Sequence, residues 1–244
     1  VKISLLQFAP VWENRVATRR KIAGLVAQAK IGEWLILPEM ALTGFSMNVT
    51  QTEWDVEDNT FFERLASDRN CTITVGGVEN GANTAFVFRP NEAGRAVYRK
   101  RHLFSFAGED RSYSAGDTTG TYEIGGMRVG QGICYDLRFP YVFWNEAPSV
   151  EAYCVIAAWG DKRSEHWKSL LRARAIENQA FIIGVNRIGS EPTVGYTGDS
   201  SIIDPLGSTV LDCGSAEGVF GAEVDVSAVA RWRESFPAIK DRHE

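Results

Sequence analysis

Histidine, cysteine and net positive charge are all scarce in this chain, and each scarcity removes a class of function. The 244 residues include three histidines and four cysteines. Of the histidines, His102 sits two residues past Lys100, His166 falls in a helical pattern that starts at Ser164, and His243 lies beside the final residue. None is well placed to orient a Cys-His or Ser-His pair. Cys71, Cys134, Cys154 and Cys213 are scattered without CxxC spacing, which argues against a disulfide framework or a zinc site and reads as four free thiols in a reducing compartment. Acidic residues outnumber basic ones by 31 to 26, for a net charge of -5. No global positive field therefore exists to hold nucleic acid or an anionic membrane surface. No apolar run approaches the ~18 residues a membrane span requires, and the opening VKISLLQFAP lacks the basic and apolar regions of a secretion signal. The expected compartment is the cytoplasm. GxSxG, HExxH, Walker and GxGxxG patterns are likewise missing, which excludes serine hydrolase, zincin, nucleotidase and dinucleotide readings and leaves no required cofactor or metal.

What is present is an ordinary globular composition, 44% hydrophobic and 23% charged, in a chain long enough to bury roughly 70 to 75% of its unfolded surface. Short apolar runs alternate with helical periodicities. KISLLQF, WLILP, CTITVGGV, NTAFVFRP, AVYRK, TYEI, MRVGQGIC, AYCVIAAW, FIIGVN, DSSIID, STVLD and VFGAEVD read as strands. Helical patterns follow Asn14, surround Phe61, Phe62 and Leu65, and recur near residues 138–147, 164–179 and 226–233. Close spacing of several strands, with NEAG at 91–94 and Gly125-Gly126 as turns, implies antiparallel pairs beside parallel ones. No Pro/Ser-rich linker or charge run divides the sequence. The expectation is one α/β domain over residues 1–244 with mixed sheets.

Three chemically able residues stand just beyond buried strands: Glu39 after WLILP, Lys100 after AVYR and Cys134 after VGQGI. Strand ends join a rigid scaffold to solvent and favour active sites. Taken singly, Glu39 reads equally as a solvated loop acid, Lys100 as an exposed strand-end cation and Cys134 as a small core residue. As a set they match the demands of amide hydrolysis. A carboxamide needs a nucleophile, a positive site for the oxyanion and a proton donor for the departing nitrogen. Cys134, Lys100 with the backbone N–H of Tyr135, and Glu39 meet those three needs.

The surrounding blocks LPEMALTGF, YRKRHLF and GICYDLRFP resemble the three signature segments of the nitrilase, or carbon-nitrogen hydrolase, superfamily. The likeness continues through GED at 108–110, RARAIENQ at 172–179, NRIGS at 186–190 and GDSSIIDPLG at 198–207. The resemblance implies a four-layer α-β-β-α sandwich with two mixed sheets, a homodimer, and a second carboxylate at Glu109 that orients the lysine or the substrate. The alternative for Glu109 is a surface loop acid. KRHLF, GED with YSAGD, and RARAIENQAF look most like the ω-amidase branch, whose members hydrolyse the terminal amide of small dicarboxylate monoamides such as 2-oxoglutaramate and 2-oxosuccinamate. An N-carbamoyl, aliphatic amide or nitrile hydrolase would use the same three groups, and a non-catalytic binding protein on the same fold is the rival of another class, although such a protein would tend to lose that set. An anionic substrate buried in an acidic protein needs a local cation. Arg163, beside Lys162, is the first candidate, and Arg172 or Arg174 the second. Phe45 and Trp159, each near a strand end, are candidate pocket walls.

Overall fold

The order of elements explains how residues far apart in sequence come to one seam. The computed structural model describes residues 1–243. The first part of the chain runs β1 (Lys2–Gln7), α1 (Arg15–Ala27), β2 (Trp34–Ile36), α2 (Val49–Thr52), α3 (Val56–Arg69), β3 (Thr72–Glu79), β4 (Ala82–Phe88), β5 (Arg95–Arg99) and the one-turn α4 (Glu109–Ser112). The second part runs β6 (Thr121–Ile124), β7 (Met127–Ile133), α5 (Tyr141–Trp144), β8 (Ala152–Ala157), α6 (Ser164–Asn178) and β9 (Phe181–Asn186). It continues through β10 (Ile188–Ser190), β11 (Gly195–Thr197), β12 (Ser201–Ile203), β13 (Thr209–Asp212), β14 (Gly218–Glu223) and α7 (Ser227–Ser235).

Two six-stranded sheets result, ordered β14-β1-β2-β3-β4-β5 and β13-β12-β9-β8-β7-β6, with β10 and β11 as a separate hairpin. In each sheet a parallel centre, β1-β2-β3 or β7-β8-β9, is flanked by antiparallel strands. The continuous apolar strands identified from sequence form these centres because both their faces are buried. Ile3, Leu5, Trp34 and Ile36 join the cluster shared with the second sheet. Their neighbours Leu6, Leu35 and Leu37 turn the other way, onto Ile22 and Val26 of α1 and Phe62 and Leu65 of α3. Each such side chain contributes about 1.5 to 3 kcal/mol when fully buried. On the far side, α6 lays Trp167, Leu171 and Ala175 against the second sheet. Gly184 of β9 permits that approach, since a Cβ there would lie 2.6 Å from a methyl of Leu171. The layers are therefore helix, sheet, sheet, helix, the expected α-β-β-α sandwich.

Side-chain caps fix the helix entrances. Asn14 accepts a hydrogen bond from the N–H of Ala17 at the start of α1, and Asp55 forms a reciprocal capping box with Asp58 at the start of α3. The buried Asp58 then pairs with Arg15 and Arg19, which joins α1 to α3.

Two local expectations are corrected. The helix expected near 138–147 is a 3-10 turn at Cys134–Arg138, the single turn of α5 and another 3-10 turn at Ala147–Ser149. Pro140 and Pro148 each withhold an N–H and so prevent one continuous helix. The β10-β11 hairpin has no counterpart among the strands expected from sequence. Its strands are three residues each and carry glycine, so they lack the apolar run that marks a core strand. None of the described helices is long and apolar enough to cross a membrane.

Candidate active site

Glu39 follows β2, Lys100 follows β5 and Cys134 follows β7, so the first two come from one sheet and the third from the other. Local backbone geometry is unusual at two of these places. Cys134 itself has a φ of 47° and Met40, next to Glu39, has 43°. Left-handed backbone costs a residue with a Cβ roughly 1 to 2 kcal/mol, so the surrounding fold must hold it. At Cys134 the conformation starts the 3-10 turn and sets the thiol at its head. Glu39 is seated against β3 through hydrogen bonds from Gly76 N–H to the Pro38 carbonyl (3.1 Å) and from Ala41 N–H to the Gly76 carbonyl (2.9 Å). A Cβ at residue 76 would stand 2.6 Å from the Cα of Glu39, so only glycine fits there.

The ionic groups converge. Lys100 Nζ donates to Glu39 Oε1 at 2.7 Å and to Glu109 Oε2 at 2.8 Å, and the lysine, both glutamates and Asn83 are completely buried. Asn83 of β4 donates from Nδ2 to Glu39 Oε1 at 2.7 Å and to Glu109 Oε1 at 2.8 Å. Glu39 Oε2 accepts the backbone N–H of Ala158, just past β8, at 2.8 Å, and Glu109 Oε2 accepts that of Phe104 at 2.6 Å. Burial alone would lower the lysine pKa, but Glu109 and Glu39, together with Cys134, outweigh it and raise the value well above the ordinary one. Burial acts in the opposite sense on Cys134. It raises the thiol pKa well above 9.0, Glu39 and Glu109 add to the rise, and Lys100 only partly offsets it.

Cys134 opens into a narrow pocket of about 40 Å³ bounded by Phe45, Phe104, Tyr135, Trp159, Val194 and Tyr196, with Arg138 and Arg163 in its wall. The Phe45 ring centre is 5.1 Å from Lys100 Nζ. The Arg138 guanidinium lies 4.8 Å from the Trp159 ring and that of Arg163 5.3 Å from the Phe104 ring. Trp159 is fixed by Asn186, whose side chain accepts the Trp159 N–H at 2.8 Å and donates to the Trp159 carbonyl at 3.1 Å.

Glu39, Lys100, Cys134 and Glu109 are thus brought together, with Tyr135, Phe45, Trp159 and Arg163 around them. Glu109 is buried at the start of α4 while Asp110 beside it is exposed. The second-choice arginines lie elsewhere. Arg174 is buried against the Leu137 carbonyl and pairs with Glu177, and Arg172 reaches Thr209 on the surface. Lys162 is exposed and does not line the pocket. Sequence reasoning overlooked Asn83, Arg138 and Tyr196. Asn83 carried a usable signal, a carboxamide at the head of an otherwise apolar strand, because buried amides require partners. Arg138 stood in the block around Cys134, one turn after the cysteine.

A fold of two facing mixed sheets with Glu, Lys and Cys at its seam defines a thiol-containing hydrolase architecture, and comparison with known proteins agrees. The profile of the carbon-nitrogen hydrolase family matches residues 2–234, and the chain belongs to that family, as a hydrolase acting on amides. Among its relatives, the omega-amidase YafV of Escherichia coli is 33% identical over 251 residues, covering 100% of this chain and 97% of that protein. The 2-oxoglutaramate amidase of Bacillus subtilis is 34% identical over 224 residues, covering 88% and 86% of the two chains. In three dimensions the protein resembles XC1258 of Xanthomonas campestris, a CN-hydrolase superfamily protein with an arsenic adduct in its active site. The TM-score is 0.94 at 30% identity, over 100% of this chain and 97% of the other.

Proposed function

We propose that this protein hydrolyses the terminal carboxamide of a small dicarboxylate monoamide, of the 2-oxoglutaramate or 2-oxosuccinamate type, to the dicarboxylate and ammonia. The observation that carries the reading is the pairing of Arg138 and Arg163 in the wall of the pocket that Cys134 opens into. Among the described residues neither guanidinium is paired with a carboxylate; the Arg138 guanidinium hydrogen-bonds the His166 ring at 3.1 Å. Unpaired guanidinium groups in a narrow, aromatic-walled pocket suit a substrate carboxylate, which they can hold through charge-assisted hydrogen bonds. The relatives named for ω-amide hydrolysis support the same substrate class.

In the reaction, Glu39 takes the Cys134 proton as sulfur attacks the amide carbon, a base being called for because burial pushes the thiol pKa up. Lys100 donates to Glu39 Oε1 and to both oxygens of Glu109, and its ammonium, with the Tyr135 N–H, stabilises the tetrahedral oxyanion. Tyr135 stands in the first turn of the 3-10 segment, where backbone N–H groups have no partner within the turn. Glu39 returns its proton to the nitrogen, ammonia leaves, and a thioester remains. Glu39 then deprotonates a water that attacks the thioester, and the dicarboxylate departs as the proton returns to sulfur. Glu109 keeps the lysine charged and in place.

The test is ammonia release from 2-oxoglutaramate and from a neutral amide of similar size. Arg163→Met and Arg138→Met should each raise KM for the anionic substrate about tenfold or more and for the neutral amide by less than about threefold. Equal effects on both substrates would remove the arginines from substrate recognition, and no release from any monocarboxamide would reject the substrate class.

A further inference from the structure

We propose that Asn83 is a positioning residue that confines the proton traffic of the site to one oxygen, Glu39 Oε2, by completing the hydrogen bonding of the other. Asn83 is fully buried in β4 and ties the site together at two levels. Its carbonyl accepts the backbone N–H of Lys100 at 2.8 Å, and its side-chain nitrogen donates one proton to Glu39 Oε1 and the other to Glu109 Oε1.

A carboxylate oxygen offers two in-plane lone pairs. On Glu39, Oε1 receives Lys100 Nζ and Asn83 Nδ2, both at 2.7 Å, and has no lone pair left. Oε2 receives the Ala158 N–H and keeps one. The thiol proton of Cys134 therefore has a single acceptor position on Glu39. A proton placed on Oε1 would break the bond to the ammonium or strand a buried amide N–H, and either loss is costly in a dry site. A proton on Oε2 breaks nothing. The oxygen that receives the thiol proton is then the one that gives it to the leaving nitrogen, and the carboxylate need not rotate between the two steps.

One further observation points the same way. Asn83 Oδ1 is buried with no hydrogen-bond partner among the described residues. Turning the amide over would place that oxygen against two carboxylate oxygens, so the orientation is set by its donors, and the unpaired carbonyl is the cost of presenting both N–H groups to the acids.

The proposal rests on Glu39 as the base and acid of the proposed amide hydrolysis. The groups facing Glu39 are Lys100 from the end of β5, Glu109 from α4, Cys134 from the turn after β7 and the Ala158 N–H after β8. Asn83 does not line the pocket, so its loss should act on turnover and not on substrate binding.

The experiment compares wild type with Asn83→Ala and the isosteric Asn83→Asp in two measurements. The first is steady-state ammonia release; the second is the pH dependence of iodoacetamide alkylation of Cys134, which needs no amide substrate. For both variants kcat should fall about 10- to 100-fold with KM within about threefold. The low-pH limb of Cys134 alkylation should move upward by about one pH unit in Asn83→Ala, and further in Asn83→Asp, which adds a third carboxylate. A lowered melting temperature with wild-type kcat and an unmoved limb would mean a structural role only and would overturn the proposal, as would a change confined to KM. Should Asn83→Ala fail to fold, an unmoved limb in Asn83→Asp overturns it equally. If wild type releases no ammonia from any amide, the substrate reading fails while the alkylation profiles still decide the role of Asn83.

Discussion

Lys100→Met takes away the cation that separates two buried carboxylates, and the geometry around that cation sets the size of the effect. Oxygens of Glu39 and Glu109 both lie within 2.8 Å of the lysine nitrogen. With the nitrogen gone, two charges about 5 Å apart at an effective dielectric constant of about 20 repel by roughly 3 kcal/mol. That equals about two pH units, and the lack of solvent around both acids adds in the same direction. One of the pair should then hold a proton at neutral pH, leaving the base partly disabled. In the proposed reaction the variant also loses the ammonium that would face the oxyanion, a loss of the kind that costs about 10²- to 10³-fold. We expect kcat/KM for ammonia release at pH 7 to drop by at least about 10³-fold, with part of the deficit recovered toward pH 9 as the retained proton dissociates. A loss below tenfold, or a variant-to-wild-type ratio that stays flat across that range, would refute the electrostatic argument. The same ion cluster predicts a signature in stability. Because the lysine pKa is raised on folding, its stabilising contribution is complete below pH 10.5, the ordinary lysine value, and declines as pH rises beyond it. Denaturant midpoints of wild type should fall above that pH, and Lys100→Met should lack this component of the decline.

Other outcomes are set by the geometry. Cys134→Ala should abolish turnover while leaving the circular dichroism spectrum and cooperative unfolding intact, and measurable residual hydrolysis would remove sulfur from the mechanism. All four thiols are buried, and burial raises Cys71 to about 11 and Cys154 and Cys213 to about 12. Only Cys134 lines the pocket, so limited iodoacetamide treatment of the folded protein should place the label there, and mass spectrometry finding equal labelling of all four would contradict this access argument. Gly76→Ala inserts a methyl group against the Glu39 backbone, which should destabilise the protein by about 1 to 3 kcal/mol and lower kcat at least about tenfold. Wild-type turnover in that variant would mean that Glu39 does not depend on its seat at β3.

Much of this arrangement was legible because buried strands announce themselves and the site comes directly after them. WLILP, AVYR and VGQGI each end one residue before Glu39, Lys100 and Cys134, and the structure places the first and third at the parallel sheet centres, whereas AVYR lies on the half-exposed edge strand β5. Glu109 was harder to place. Its neighbours Asp110 and Arg111 are those of a surface loop, and only the return of Phe104 and Lys100 beside it makes its carboxylate an interior group. Asn83 and Arg138 were missed for different reasons. One is polar within a strand read by its apolar members, and the other was absorbed into the motif around the cysteine. The β10-β11 hairpin escaped because its place is set by tertiary bonds, such as Glu191 accepting from the Phe45 N–H at 2.8 Å, and not by any local periodicity.

Glu39 reaches across the seam between the sheets, held by Lys100 and Asn83 on its own side and by the Ala158 N–H on the other. That single transverse bond makes the site a gauge of sheet alignment. If one sheet slid over its partner by even an ångström, the Ala158 contact would stretch beyond hydrogen-bonding range and the thiol would drift from its acceptor, while every ladder within either sheet remained closed. Chemical competence would then disappear before secondary structure did, so mild shear, pressure or denaturant should silence the protein in a state that still reads as folded by its backbone.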